Sequence, residues 1–152
     1  MDDVKHILVL SRAIEDCRKA LHYGVSLSRK YDAELVVLHV IHDPFNVEGW
    51  SLPLPYLRTL KEEQQKMRED IKKELDKIIA SEKTRGINIK EFIREGAPVD
   101  EVMKIVEKEK IDLMIIPAHE EGRLEHLLFS RDNEKLTRTM PCSILLVKHE
   151  LF

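Results

Sequence analysis

Residues able to do chemistry gather at three short stretches of the chain. Ser11 and Arg12 follow the run Val4–Leu10, His39, His42 and Asp43 close a second apolar run, and His119 and Glu120 follow a third, Ile111–Ile116. Histidine with aspartate is a ligand set for zinc. An arginine fork grips a carboxylate or a phosphate. Ser11 would need a base to act as nucleophile, and neither a GxSxG elbow nor an assigned base accompanies it. No Walker A GxxxxGK(S/T) and no GxGxxG is present. Cys17 and Cys142 lie far apart and form no CxxC. Cys17 falls on the apolar stripe of a helix and Cys142 heads a strand, so both read as packing residues.

These stretches matter because of the elements that end in them. VKHILVL at 4–10 is a β-rich run, and Ala33–Ile41 (AELVVLHVI) is almost continuously apolar. Unbroken runs of this kind suit strands buried on both faces of a parallel sheet. Between them Cys17, Ala20, Leu21, Gly24 and Leu27 recur at helical spacing. Asp43–Pro55, with Pro44, Gly49, Pro53 and Pro55, reads as loop. Tyr56 to about Arg85 reads as a long helix striped by Leu60, Met67, Ile71, Leu75 and Ile78, with Gly86 ending it. Ile87–Arg94 alternates as a strand with one wetter face, and Val99, Val102, Met103 and Val106 mark a short helix after Gly96-Ala97-Pro98. The strand Ile111–Ile116, a helix from about Gly122 to Thr139 and a last strand Cys142–Val147 complete the order. Strands alternating with helices predict a parallel sheet with right-handed crossovers and helices on both faces. On such a sheet ligands sit beyond the carboxyl ends of the strands, where the strand order reverses. That places Leu10–Ala13, Val40–Asp43 and Pro117–Glu120 at the candidate site.

Composition narrows the function. Charged residues make up 35% of the chain and hydrophobic ones 43%, which fits one globular domain spanning 1–152. With 25 Lys and Arg against 28 Asp and Glu, the formal charge is −3, so there is no net basic field for nucleic acid. No apolar run approaches the ~20 residues that span a bilayer. The start Met1-Asp2-Asp3 does not resemble a secretory signal, and the cytoplasm is the expected compartment.

The motifs, in order, resemble the universal stress protein family. Its opening strand, of the type ILVPxDGS, has a counterpart in Ile7–Ile14, and its AELxLLHV strand closely matches Ala33–Val40. Arg18-Lys19-Ala20-Leu21 resembles the start of its first helix, and Arg94-Glu95-Gly96-Ala97-Pro98 its EGxP turn. Asp112–Glu120 is similar to DLIVMGTHG, and Glu134–Lys148 to the closing EKVLRHAPCPVLVVK. The resemblance implies a single doubly wound α/β domain with a five-stranded parallel sheet of order 3-2-1-4-5. It also implies a homodimer paired through the last strand, Ser143-Ile144-Leu145-Leu146-Val147, and structural roles for His39 and His119, leaving no metal site.

The departures from that pattern bear on function. ATP-binding members of the family carry Gly-x-x-Gly and, further on, Gly-Ser or Gly-Thr, because glycine lets backbone amides close on phosphates. Aligned without a gap, those positions hold Pro117, Glu120 and the pair Ser130-Arg131. Pro117 lacks an amide donor, Glu120 adds negative charge and Ser130 adds a side chain. The family's first-strand aspartate becomes Arg12, followed by Ala13 and Ile14. The altered cleft is therefore Leu10, Arg12, Val40, Pro117, His119, Glu120, Ser130 and Arg131. Arg12 and Arg131 either clamp a small anion or pair with Glu120, Glu121 or Asp132 and close the cleft from within. The segment around Trp50, with Leu52, Leu54 and Tyr56, reads either as a lid or as a contact surface. The expectation is a non-catalytic, dimeric binding or regulatory module without a cofactor, which also engages an unknown protein partner or a small anion. The alternatives are a binder of another small ligand in the altered cleft, or an ATP-binding member with weak hydrolysis.

Overall fold

The structure, a computed structural model, describes residues 3–11, 14–41, 54–83, 86–117, 135, 138–139 and 141–148. The elements are β1 (His6–Ser11), α1 (Ile14–Tyr31), β2 (Glu34–Ile41), α2 (Leu54–Lys83), β3 (Ile89–Glu95), α3 (Pro98–Lys108), β4 (Leu113–Pro117) and β5 (Ser143–Val147). The five strands form one parallel sheet in the order β3-β2-β1-β4-β5, as the resemblance implies. Of the helix expected over 122–139, only 135, 138 and 139 are described, and all three are helical.

Strand alternation sorts the core into two layers. Ile7 and Val9 of β1, Leu35 and Val37 of β2 and Ile115 of β4 pack with Cys17, Ala20, Leu21 and Val25 of α1 and Leu75, Ile78 and Ile79 of α2. Leu8, Leu10, Val36, Leu38, Met114 and Ile116 point the other way, onto Val99, Val102, Ile105 and Val106 of α3. The chain thus steps from β1 to β3 through helices on one face and returns to β4 through a helix on the other.

Local chemistry sets the boundaries. Helix α1 lies so close to the sheet that a Cβ on Gly24 would sit 2.6 Å from Val9 Cγ2 and 3.1 Å from Leu35 Cδ1. Arg29 and Lys30 in its last turn complement the helix dipole. Helix α2 begins at Leu54, so the loop expected to reach Pro55 is shorter: Pro55 lies in the first turn, where its missing N–H has no helical partner to lose. Its anchoring is uneven. Arg68 Nη1 reaches Glu95 Oε1 at 3.1 Å, and Lys72 Nζ lies 3.7 Å from Glu91 Oε1. Arg68 thus ties α2 to the carboxyl end of β3, and 14 residues of the helix, roughly 21 Å at 1.5 Å per residue, precede it. None of residues 58–70 is buried. Pro98 opens α3 with Asp100 and Glu101 in its first turn and Lys108 in its last.

Candidate functional site

The carboxyl ends of the strands meet along one edge. Ser11 ends β1, Ile41 ends β2, Glu95 ends β3 and Pro117 ends β4. From β1 the order runs outward to β2 and β3 on one side and to β4 and β5 on the other, so the reversal falls between β1 and β4. A crevice at such a reversal is where this class of sheet takes ligands.

The floor of that edge is built from the core upward. Leu10 is fully buried and Val40 nearly so, and both belong to the layer under α3 with Ile116 and Val99. Both present little surface. Pro117 is also buried and lies beside Val147 of β5. The β1–β4 ladder already stops at Val9 and Ile115, so the missing Pro117 amide leaves no gap in it. The Gly96 amide donates to the Ile41 carbonyl at 3.1 Å and ties the ends of β2 and β3 together. Gly96 has φ 141, in the region that favours glycine, with Glu101 Oε1 3.3 Å from the position a Cβ would take. Arg12, His119, Glu120, Ser130 and Arg131 lie outside the described residues, as do Ala13, His42, Asp43, Trp50, Glu121 and Asp132. Of the expected cleft residues the structure thus describes Leu10 and Val40, in the layer under α3, and Pro117, which ends β4 on the opposite face of the sheet.

One polar contact at this edge was not legible in the sequence. Ser11 and His39 are cross-strand partners in the β1–β2 register, and Ser11 Oγ lies 2.8 Å from His39 Nδ1. Ser11 is 0% exposed and His39 3%. Burial pushes the imidazole pKa below its usual value, so the ring is neutral at pH 7. The pair resembles a nucleophile and its base in atom types only, because a hydroxyl without exposed surface cannot reach a substrate. Both residues stood out singly; what joins them is the register, which periodicity does not encode.

Among the described residues no group of three His, Cys, Asp or Glu side chains is arranged to hold a metal ion. Cys17 is buried and Cys142 half-buried, and neither is in a disulfide. Burial, with the Asp112 charge added, pushes the Cys142 thiol up, which disfavours the reactive thiolate.

At the opposite, amino edge sits a charged network. The Asp112 carboxylate accepts from the Lys5 and His6 amides, both at 2.8 Å. The His6 ring lies between Asp112 at 3.6 Å and Glu34 at 3.7 Å, and Lys90 Nζ lies 2.9 Å from Glu34 and 3.3 Å from Glu109. It joins β1, β2, β3 and the segments flanking α3 and β4, remote from the candidate cleft.

The doubly wound five-stranded parallel sheet, its order reversing between β1 and β4, defines a class of α/β fold that takes ligands beyond the carboxyl ends of its strands. The profile of the universal stress protein family matches residues 3–148, and the chain belongs to that family. A universal stress protein from Aquifex aeolicus is 35% identical over 115 residues, covering 74% of this chain and 82% of its own. The solved structure of MJ0577, a universal stress protein of Methanocaldococcus jannaschii, superposes with a TM-score of 0.80 at 23% identity, over 99% of this chain and all of that one. A universal stress protein in complex with cAMP superposes with a TM-score of 0.68 at 16% identity, over 97% of this chain and 98% of its own. At such identities the structural likenesses establish the fold alone. No described helix is long and apolar enough to cross a membrane.

Proposed function

We propose that this protein is a non-catalytic universal stress protein: a single-domain, dimeric binding or regulatory module of the cytoplasm whose nucleotide cleft no longer takes ATP tightly. The observation that carries the reading is Pro117. It ends β4 beside the reversal point, where ATP-binding members place the first glycine of their phosphate loop, and it has no amide to donate. Glu120, Ser130 and Arg131 at the remaining loop positions, and Arg12 in place of the aspartate, act in the same direction. A hydrogen bond to a charged group contributes about 1.5–3 kcal/mol, so losing two weakens binding by a factor of at least ~100.

Calorimetry and thermal-shift titration with ATP are expected to show no binding in the micromolar range. A micromolar dissociation constant, or ATP carried through purification, overturns the reading. A second reading, a small-ligand or anion binder, draws on Arg12 and Arg131 and on the family member solved with cAMP. Cyclic nucleotides, phosphate and carboxylates in the same titration separate the two.

The dimer is proposed through β5. Of the two sheet edges, β3 carries Lys90, Glu91, Arg94 and Glu95 in seven residues, whereas β5 reads SILLV and has no charge. Charges protect an edge against pairing, and their absence from β5 marks it as the edge to be covered. A twofold axis lets one such strand serve both subunits.

A further inference from the structure

We propose that the outer face of α1 is a docking surface for an acidic protein segment, held in extended form along the helix. The proposal draws on nothing in the cleft and stands apart from the reading of that site.

The charge is concentrated by the sequence. Between Cys17 and Tyr31 the chain has four Lys or Arg residues and no Asp or Glu. The molecule as a whole carries more acidic than basic residues, and α2 and α3 interleave both signs. Helix geometry then turns this charge outward. Cys17, Ala20, Leu21 and Val25 are buried against the sheet, which leaves Arg18, His22, Ser26, Arg29 and Lys30 exposed and Tyr23 43% exposed. At three- and four-residue spacing the face has two adjoining rows, one with Arg18, His22 and Arg29, the next with Lys19, Tyr23, Ser26 and Lys30. The helix dipole accounts for Arg29 and Lys30 in the last turn. It does not account for Arg18 and Lys19, which stand in the second turn, toward the positive end.

A depression of about 610 Å³ opens on this face, and the described residues that line it are Arg18, Lys19, His22, Tyr23 and Ser26. Guanidinium, ammonium, imidazole and two hydroxyls all supply hydrogen-bond donors, so the matching occupant is negatively charged and rich in acceptors. Length sets its shape. From Arg18 to Lys30 the helix advances roughly 18 Å, more than one carboxylate or phosphate covers. An extended chain returns a side chain to the same side about every 6.6 Å, so four alternate carboxylates span about 20 Å. The outer two reach the Arg18–Lys19 and Arg29–Lys30 pairs, and the inner two meet the donors of His22, Tyr23 and Ser26. Matching of this kind steers an encounter and selects the partner. A nucleic-acid strand fits less well, because its charge runs on past this face over a molecule of formal charge −3.

The test is fluorescence anisotropy of a labelled peptide that alternates Glu and Ser, with four Glu, titrated with the full-length protein at low ionic strength. Binding in the micromolar range is expected, weakening steeply as salt is raised to about 0.5 M. One exposed ion pair changes an affinity by up to about fivefold, so Arg18→Glu with Lys30→Glu is expected to weaken binding about tenfold. Lys66→Glu with Lys73→Glu, at two exposed lysines of α2, makes the same change in net charge and is expected to leave the affinity within about twofold. No binding at millimolar protein overturns the proposal. So does an equal loss in the two double variants, which would make net charge the cause. Tighter binding of an oligouridylate of the same length overturns the class of partner. Should the α1 variant not fold, Arg18→Gln with Lys30→Gln replaces it, and an unchanged affinity there overturns the surface. Titrations with ATP read the other site, so either reading can fail alone.

Discussion

Gly24 shows how one missing side chain sets an interlayer distance. An added Cβ would overlap Val9 Cγ2 at 2.6 Å, and Val9 is fully buried between α1 and the sheet. Alanine improves helix propensity by ~1 kcal/mol but overpacks the layer at a cost of about 1–3 kcal/mol. Gly24→Ala is expected to be destabilised by about 1 kcal/mol, and Gly24→Val by more. A shift of the urea midpoint at unchanged m-value checks this, and a stabilised alanine variant would show that α1 moves outward freely. The same scale shows what the sequence could reveal of the site. Leu10, Val40 and Pro117 were legible as strand-end residues because the runs that contain them are strongly apolar. The burial of Leu10 and Val40 was not, because burial at a strand end depends on the helix that crosses it, here α3. Ser11 and His39 were each noticed without the other, since only the β1–β2 register makes them partners.

At the scale of elements, the two sheet edges differ in kind. Val147 is buried within the chain, whereas Leu145 is only partly covered. Leu145→Lys is therefore the cleaner probe of pairing, and it is expected to give monomers or insoluble protein, because a charge in a dry contact is unpaired. Light scattering at high micromolar concentration reads the outcome, and a wild-type monomer there would refute the dimer. Val147→Lys is expected to unfold the subunit as well, since the ammonium enters the layer shared with α1 and α2. The period of the apolar residues revealed the helices and strands to within a few residues, and α2 shows where it fell short. Periodicity reported the length of the helix but not that residues 58–70 bury no side chain.

For the whole molecule, the strand order was readable through resemblance rather than from periodicity, which leaves the lateral arrangement of strands open. The amino-edge network then couples the assembled sheet to pH. Burial alone would raise the Asp112 carboxyl; the amides of Lys5 and His6 and the His6 ring outweigh it and hold the carboxyl below its usual range. A lowered carboxyl stabilises the fold above its unfolded value near 3.8 and loses that contribution as the pH falls through the folded value. Asp112→Ala is therefore expected to be less stable than the parent at neutral pH and to lose less on acidification through that range. Urea midpoints collected between pH 7 and 2.5 test it, and parallel curves would refute it. At the other edge, 14 residues of α2 precede the Arg68–Glu95 tie, with no buried residue from 58 to 70. Opening this stretch uncovers none of the described core residues, so Arg58, Lys61, Lys66 and Arg68 are expected to give a protease its first cuts while the five strands remain intact.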